Sequence, residues 1–330
     1  MAHMIGRRQV VAGGTVLAAV PATAAAAGGR VSVYTAHESS IIDAMVPPFQ
    51  KATGITVDVV KGGGGDLLNR VKAEAGAPRA DVVWSVGPDV LEVNAPLLEA
   101  YRPAGYEQVL DPKFAASGVW LPYTGTVMVI AVNTAKVKPG DFPKTWSDLA
   151  DPKWHGLVSS ARADSSSSAF SQFLTILTCY PDTGMDIYKR IFANFVLSDS
   201  SGGVSRYVND GEAFAGLTLE DNALQYVKGG GHMAIVYPSD GTLVNADGVA
   251  LVKGAPHPDE ARRFIDYLMS KPAQEILVQT VGRRSIRTDV PAGPGTKPLS
   301  EIKAINYDTV DAARRRATLL AQWRKIADSQ

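Results

Sequence analysis

The sequence predicts an α/β protein of two lobes, each organised around a doubly wound, mainly parallel sheet. Three observations point there. Short apolar runs of strand length alternate with segments of helical period along most of the chain, an order that sets parallel strands side by side with helices on both faces. At 330 residues the chain is longer than one hydrophobic core usually fills. With 45% apolar and 20% charged residues it has the composition of a folded globular protein, not of a disordered one.

The elements are justified in chain order. Met1 to His3 reads as the scar of an expression tag, with the natural start at Met4. Arg7 and Arg8 then precede an apolar stretch broken by Gly13, Gly14 and Pro21, which ends in the small residues Ala22 to Ala27. A basic start, an apolar middle and a small-residue end describe a cleaved export signal over residues 1–28. The arginine pair resembles a twin-arginine signal, with a general secretory signal as the alternative. No later stretch reaches the roughly 18 apolar residues of a membrane span, so the mature chain is expected to be soluble and periplasmic.

Residues 30–35 alternate as a strand does, and a helix follows over about 39–52, with Pro47 and Pro48 expected to kink it. Residues 55–60 read as a second strand. The four glycines Gly62 to Gly65 lead into a helix with Leu67, Val71 and Ala75 on one face, and 80–86 read as a third strand. A second such unit begins with a strand at 127–132. Asp164 and Ser165 are expected to cap a helix that carries Phe170, Phe173, Leu174 and Leu177. Strands are expected at 213–219, 233–237 and 247–252, followed by a helix with Ala261, Phe264, Ile265 and Leu268 on one side. Residues 288–298 are rich in Pro and Gly and read as a linker. A last helix over about 308–328 carries Arg314, Arg315 and Arg316, expected to form a solvated face.

Charge and cysteine content exclude several functions. Lys plus Arg and Asp plus Glu number 33 each, so no basic excess is present to neutralise a nucleic-acid backbone. The single cysteine, Cys179, excludes an intramolecular disulfide framework and a cysteine metal cage, and reads as a small buried apolar residue.

Three stretches resemble the periplasmic solute-binding proteins of ABC importers, in the branch that binds ferric iron, phosphonates and sugar phosphates. They are VYTAHESSIIDAMVPPFQKATGITVDVVKGGGGDLLNRV from residue 33, PKTWSDLADPKWHGLV over 143–158, and IVYPSDGTLVNADGVALVKGAPHPDEARRFIDYLMSKPAQEIL over 235–277. The resemblance implies two α/β lobes that close on a solute held in the cleft between them, and delivery of that solute by a monomer to an inner-membrane permease. It divides the mature chain into 29–125 plus 241–290 for one lobe and 126–240 plus 291–330 for the other.

Ligands of open α/β sheets sit beyond the carboxyl ends of the strands. That rule selects Thr35, His37 and Glu38 after the first strand, and the resemblance also places ligand contacts in this loop. It selects Gly63, Gly64 and Gly65 after the second strand, where glycines let the backbone approach a ligand and the helix start favours an anion. Ser85 follows the third strand, and Thr124 and Gly125 stand at a crossover between lobes. In the second lobe Ser165, Ser166 and Ser167 open a helix suited to a phosphate or carboxylate. Thr218, Glu220 and Asp221 end a strand, the acids placed to accept from ligand hydroxyls or an amine, and Tyr237 and Asp240 lie in the return crossing.

Ferric-binding members of the family use two adjacent tyrosines at the position that here reads Thr218-Leu219-Glu220-Asp221-Asn222. The expected ligand is therefore a small organophosphate or phosphonate, with ferric iron as the alternative. An enzyme on the same fold is the class alternative, but no G-x-S-x-G, H-E-x-x-H or G-x-x-x-x-G-K-[ST] motif is present. No cofactor, resident metal or catalytic residue is expected.

Overall fold

The computed structural model describes Met1, residues 28–114 and residues 118–329. Residues 2–27 of the export signal read from the sequence fall outside the described residues. The strands are β1 (Arg30–Thr35), β2 (Thr56–Lys61), β3 (Val82–Val86), β4 (Leu98–Glu99), β5 (Leu121–Asn133), β6 (Val158–Ala161), β7 (Phe195–Ser198), β8 (Ala215–Leu219), β9 (Met233–Val236), β10 (Val244–Val252) and β11 (Arg284–Ser285). The helices are α1 (Ser39–Thr53), α2 (Gly64–Ala73), α3 (Pro88–Val93), α4 (Tyr106–Val109), α5 (Ser167–Cys179), α6 (Gly184–Phe192), α7 (Ser201–Asp210), α8 (Glu220–Lys228), α9 (Pro258–Met269), α10 (Lys271–Ile276) and α11 (Thr309–Ala327). Among the described residues no helix is long and apolar enough to cross a membrane.

The strands run in the order β2-β1-β3-β10-β5-β8-β6-β7. Strands joined by helices pair in parallel, β1 with β2 and β3, and β6 with β7 and β8. The two strands that tie the halves together run the other way: β10 is antiparallel to β3 and β5, and β5 is antiparallel to β8. The result is a mixed sheet with a parallel run at each end.

Each half buries its own core. In the first, Phe49 of α1 and Phe264 of α9 meet edge to face at 5.1 Å, and Phe264 lies 5.6 Å from Trp84 of β3. Pro47 and Pro48 sit inside α1 without ending it, because Ile41, Met45, Val46 and Phe49 hold both sides of the helix against the core. In the second half, Phe173 packs on Tyr188 at 4.4 Å, and the Trp323 indole donates to the Tyr188 hydroxyl at 2.9 Å. Cys179 ends α5 half-buried; burial pushes its thiol up to about 12 and Sγ donates to the Gly241 carbonyl.

Three elements differ from the sequence expectation. β5 begins at Leu121, not 127, because β10 and β8 pair along its two parts and satisfy the backbone whatever the side chains are. Helix α5 is capped by Ser166, whose Oγ accepts from the Ala169 N–H at 3.3 Å, while Asp164 is held by Arg162 at 2.9 Å. Of the arginine triplet in α11, Arg314 and Arg315 face solvent, both paired with Asp311. Arg316 is buried, paired with Asp89 of α3 and stacked 4.2 Å over the Phe170 ring.

Candidate ligand-binding cleft

A cavity of about 340 Å³ lies where the two halves meet. Five helices begin at its wall: α1 after Glu38, α2 after Gly63, α5 after Ser166, α7 after Ser200 and α8 after Leu219. The first N–H groups of a helix have no partner within it and carry the positive end of its dipole, so each start favours an anion. The ionisable side chains have the opposite bias. Lys61 and Arg283 line the cavity alongside Glu38, Asp66, Asp199 and Asp247. An anionic group suits the helix starts, and an amine or hydroxyls suit the carboxylates.

His37 sits at the end of the first strand's loop, 2% exposed. Its Nε2 is 2.6 Å from the Tyr123 hydroxyl, its ring stands edge-on to Trp84 at 4.6 Å, and its N–H donates to Thr35 Oγ1. Burial, with the Arg283 guanidinium nearby, holds the imidazole well below its usual range, so it is neutral. Burial also raises the Tyr123 hydroxyl far above its usual range, so it stays protonated. Nδ1 of His37 is buried with no partner among the described residues. Across the cavity the same is true of Ser167 Oγ. A buried polar atom left unpaired is costly, and both residues line the cavity.

The floor is a charged cluster. Arg283, 4% exposed, donates to Asp221 at 2.7 Å, to Asp247, and to Thr124 Oγ1 at 3.3 Å. Burial pushes the Asp221 carboxyl up while Arg283 pulls it back. Asp247 also accepts from Ser85 Oγ at 2.8 Å, beside a register shift in β10. Ser85 has φ +62°, the single non-glycine residue with positive φ among those described. Such strain persists only where its surroundings enforce it, and here it lies at the cavity.

Of the residues selected from sequence, His37, Glu38, Gly63, Gly64, Ser85, Ser165, Ser166 and Ser167 line the cavity together. The others do not, and each has a local reason. Thr35 accepts from His37, Gly65 lies within the first turn of α2, and Thr124 accepts from Arg283. Gly125 is paired with Arg284 in the sheet, and Thr218 is buried against Ser205 at 3.0 Å. Glu220 and Asp221 are the first residues of α8, and their carboxylates are consumed by buried pairs with Arg284 and Arg283, each 2.7 Å long. Tyr237 donates to Glu220, and Asp240 accepts from Tyr180 and the Trp146 N–H.

Sequence reasoning missed Arg283, Asp247, Ser200 and Ser201. The run Ser198-Asp199-Ser200-Ser201-Gly202-Gly203 carries the same helix-start signature as 164–168, so α7 was open to discovery. Asp247 carries no such signal. Among the described residues no group of three or more His, Cys, Asp or Glu is placed to hold a metal ion, and the cavity lining contains no tyrosine.

The profile of the family described as bacterial extracellular solute-binding protein matches residues 31–280. The iron uptake protein A1 of Synechocystis is 28% identical over 301 residues, covering 83% of this chain and 81% of that one. A periplasmic protein of Salmonella paratyphi A, provisionally named for binding 2-aminoethylphosphonate, is 25% identical over 297 residues, covering 86% of each. Among solved structures, the periplasmic binding protein AfuA of Actinobacillus pleuropneumoniae with fructose-6-phosphate bound superposes with a TM-score of 0.84 at 25% identity, over 89% of this chain and 97% of that one. The fold shared with it is two-lobed.

Proposed function

The chain belongs to the bacterial extracellular solute-binding protein family, and from that premise we propose that it captures a small organophosphate or phosphonate in the periplasm and delivers it, as a monomer, to the permease of an ABC importer. The observation that carries the ligand class is the convergence of five helix starts on one cavity, with Ser165, Ser166 and Ser167 in its wall. A tetrahedral oxyanion offers several acceptor oxygens to such donors at once. The carboxylates of Glu38, Asp66 and Asp199 then face the ligand's other end.

Ferric iron fits these residues poorly. It favours several anionic oxygens, and the two acids that replace the tyrosine pair, Glu220 and Asp221, are already neutralised by arginines. The division at about residues 125, 241 and 290 into two closing lobes, and export by a twin-arginine signal, belong to the same proposal.

Calorimetry with 2-aminoethylphosphonate, fructose-6-phosphate and ferric citrate tests it. The expected result is saturable binding of at least one of the two phosphorus compounds, no turnover of the ester, and no binding of ferric citrate. Tight ferric binding with neither phosphorus compound bound overturns the ligand class.

A further inference from the structure

We infer that Gly63 and Gly87 determine ligand affinity through the fit between the lobes: the methyl group that any other residue would bring is excluded by Ser165 and Ser167 of the opposite lobe. The inference rests on the proposed closure of the lobes around a solute. Gly63 precedes α2 and Gly87 precedes α3, both at the carboxyl ends of first-lobe strands. Neither glycine is required by its backbone. Gly63 has φ −67° and ψ 145°, Gly87 has φ −60° and ψ 139°, and both are ordinary conformations that any residue accepts. Both occupy helix N-caps, where serine, aspartate or asparagine supplies a capping oxygen and glycine supplies none.

The reason lies across the cleft. A Cβ on Gly63 would stand 2.1 Å from the Ser165 carbonyl oxygen and 3.0 Å from its carbon. A Cβ on Gly87 would stand 2.9 Å from Ser167 Cβ. These neighbours are a backbone and a Cβ, so no side-chain rotation relieves the contact. Ordinary carbon contacts lie at about 3.5–4.0 Å, so alanine would hold the lobes about 1 Å apart. The same packing encloses Ser167 Oγ, an unpartnered buried atom of a residue that lines the cavity. A gap there admits water to that atom and moves it away from a ligand held by the first lobe. Gly76, with nothing within 4 Å of its Cβ position, provides the control.

The test compares Gly63→Ala, Gly87→Ala and Gly76→Ala. Titration with 2-aminoethylphosphonate is expected to give a Kd at least tenfold weaker for the two seam variants, through faster dissociation, and a wild-type Kd for Gly76→Ala. The unliganded melting temperature is expected to be unchanged or slightly raised in all three, because the lobes part to relieve the seam contact and alanine reduces the freedom of the unfolded chain. Spin labels on the exposed positions Lys72 and Arg190, in a Cys179→Ser background, read lobe separation without reference to any ligand. The seam variants are expected to lose the shortest distances, and Gly87→Ala combined with Ser167→Gly to regain them. If the wild type does not bind 2-aminoethylphosphonate, the ligand reading is weakened while the label distances still decide the seam. Wild-type distances in both seam variants, or no recovery in the double variant, overturn the inference.

Discussion

His37 shows how one residue joins fold and function. The neutral imidazole is fixed by Tyr123, and the residue lines the cavity. In the unfolded chain this histidine takes up a proton near pH 6.5, whereas in the folded protein burial delays protonation to lower pH. The unfolded state therefore binds more protons in the window below pH 6.5, and stability falls as pH falls through it. Melting temperatures of wild type and His37→Gln between pH 8 and 5 check this: the wild type is expected to lose more on acidification, and parallel curves would contradict the assignment. For Ser167→Ala the loss of one hydrogen bond to a charged ligand group corresponds to about tenfold weaker binding or more, with little change in unliganded melting temperature. An unaltered Kd would remove Ser167 from the ligand set. Both residues were legible in the sequence, because a strand end followed by a helix start is a local signal. Glu220 and Asp221 carry the same strand-end signal, yet they stand apart from the cavity. The sequence places them at a strand end, but only the tertiary fold brings Arg283 and Arg284, some sixty residues away, onto their carboxylates.

At the scale of elements, α8 and the segment leading into β11 act as a clasp between the halves. Arg284 is held by Glu220 through two nitrogens and by the Lys297 carbonyl, and Arg283 by Asp221, Asp247 and Thr124. Acids at the first turn of α8 also suit the helix dipole. Removing one partner of a buried pair leaves the other charge stranded, at a cost of about 3–5 kcal/mol. Glu220→Gln is expected to lower the melting temperature accordingly while changing the Kd by less than about threefold, since Glu220 does not line the cavity. Asp221→Asn is expected to have the opposite profile. Arg283 retains Asp247, so less stability is lost, but the cavity floor shifts and affinity falls by more than in Glu220→Gln. Equal effects of the two on stability and binding would mean the clasp works as a single unit. The longer elements β1, α1, α9 and α11 were legible because their apolar period is set by one core face. The two-residue strands β4 and β11 were not, since so short a run has no period to read.

For the whole molecule, the equality of 33 basic and 33 acidic residues constrains how a solute is found. Residues 1–28 hold two arginines and no acid, so the remainder of the chain is also close to neutral. A surface without a dominant sign creates no long-range field for an anion, and the cavity itself carries more acidic than basic side chains. For the proposed anionic ligand, attraction must come from oriented N–H groups at the helix starts. Their partial charges act over one helical turn and fall off well inside the screening length of about 10 Å at 0.1 M salt. Recognition therefore begins only once the ligand has entered the cleft, and added salt has little left to screen. Stopped-flow association with 2-aminoethylphosphonate between about 0.02 and 0.5 M sodium chloride is expected to change the association rate by less than threefold, a span over which the Debye length shrinks severalfold. A rate that falls tenfold would require a field reaching beyond the cleft, and with it a clustered surface charge that the balanced composition conceals.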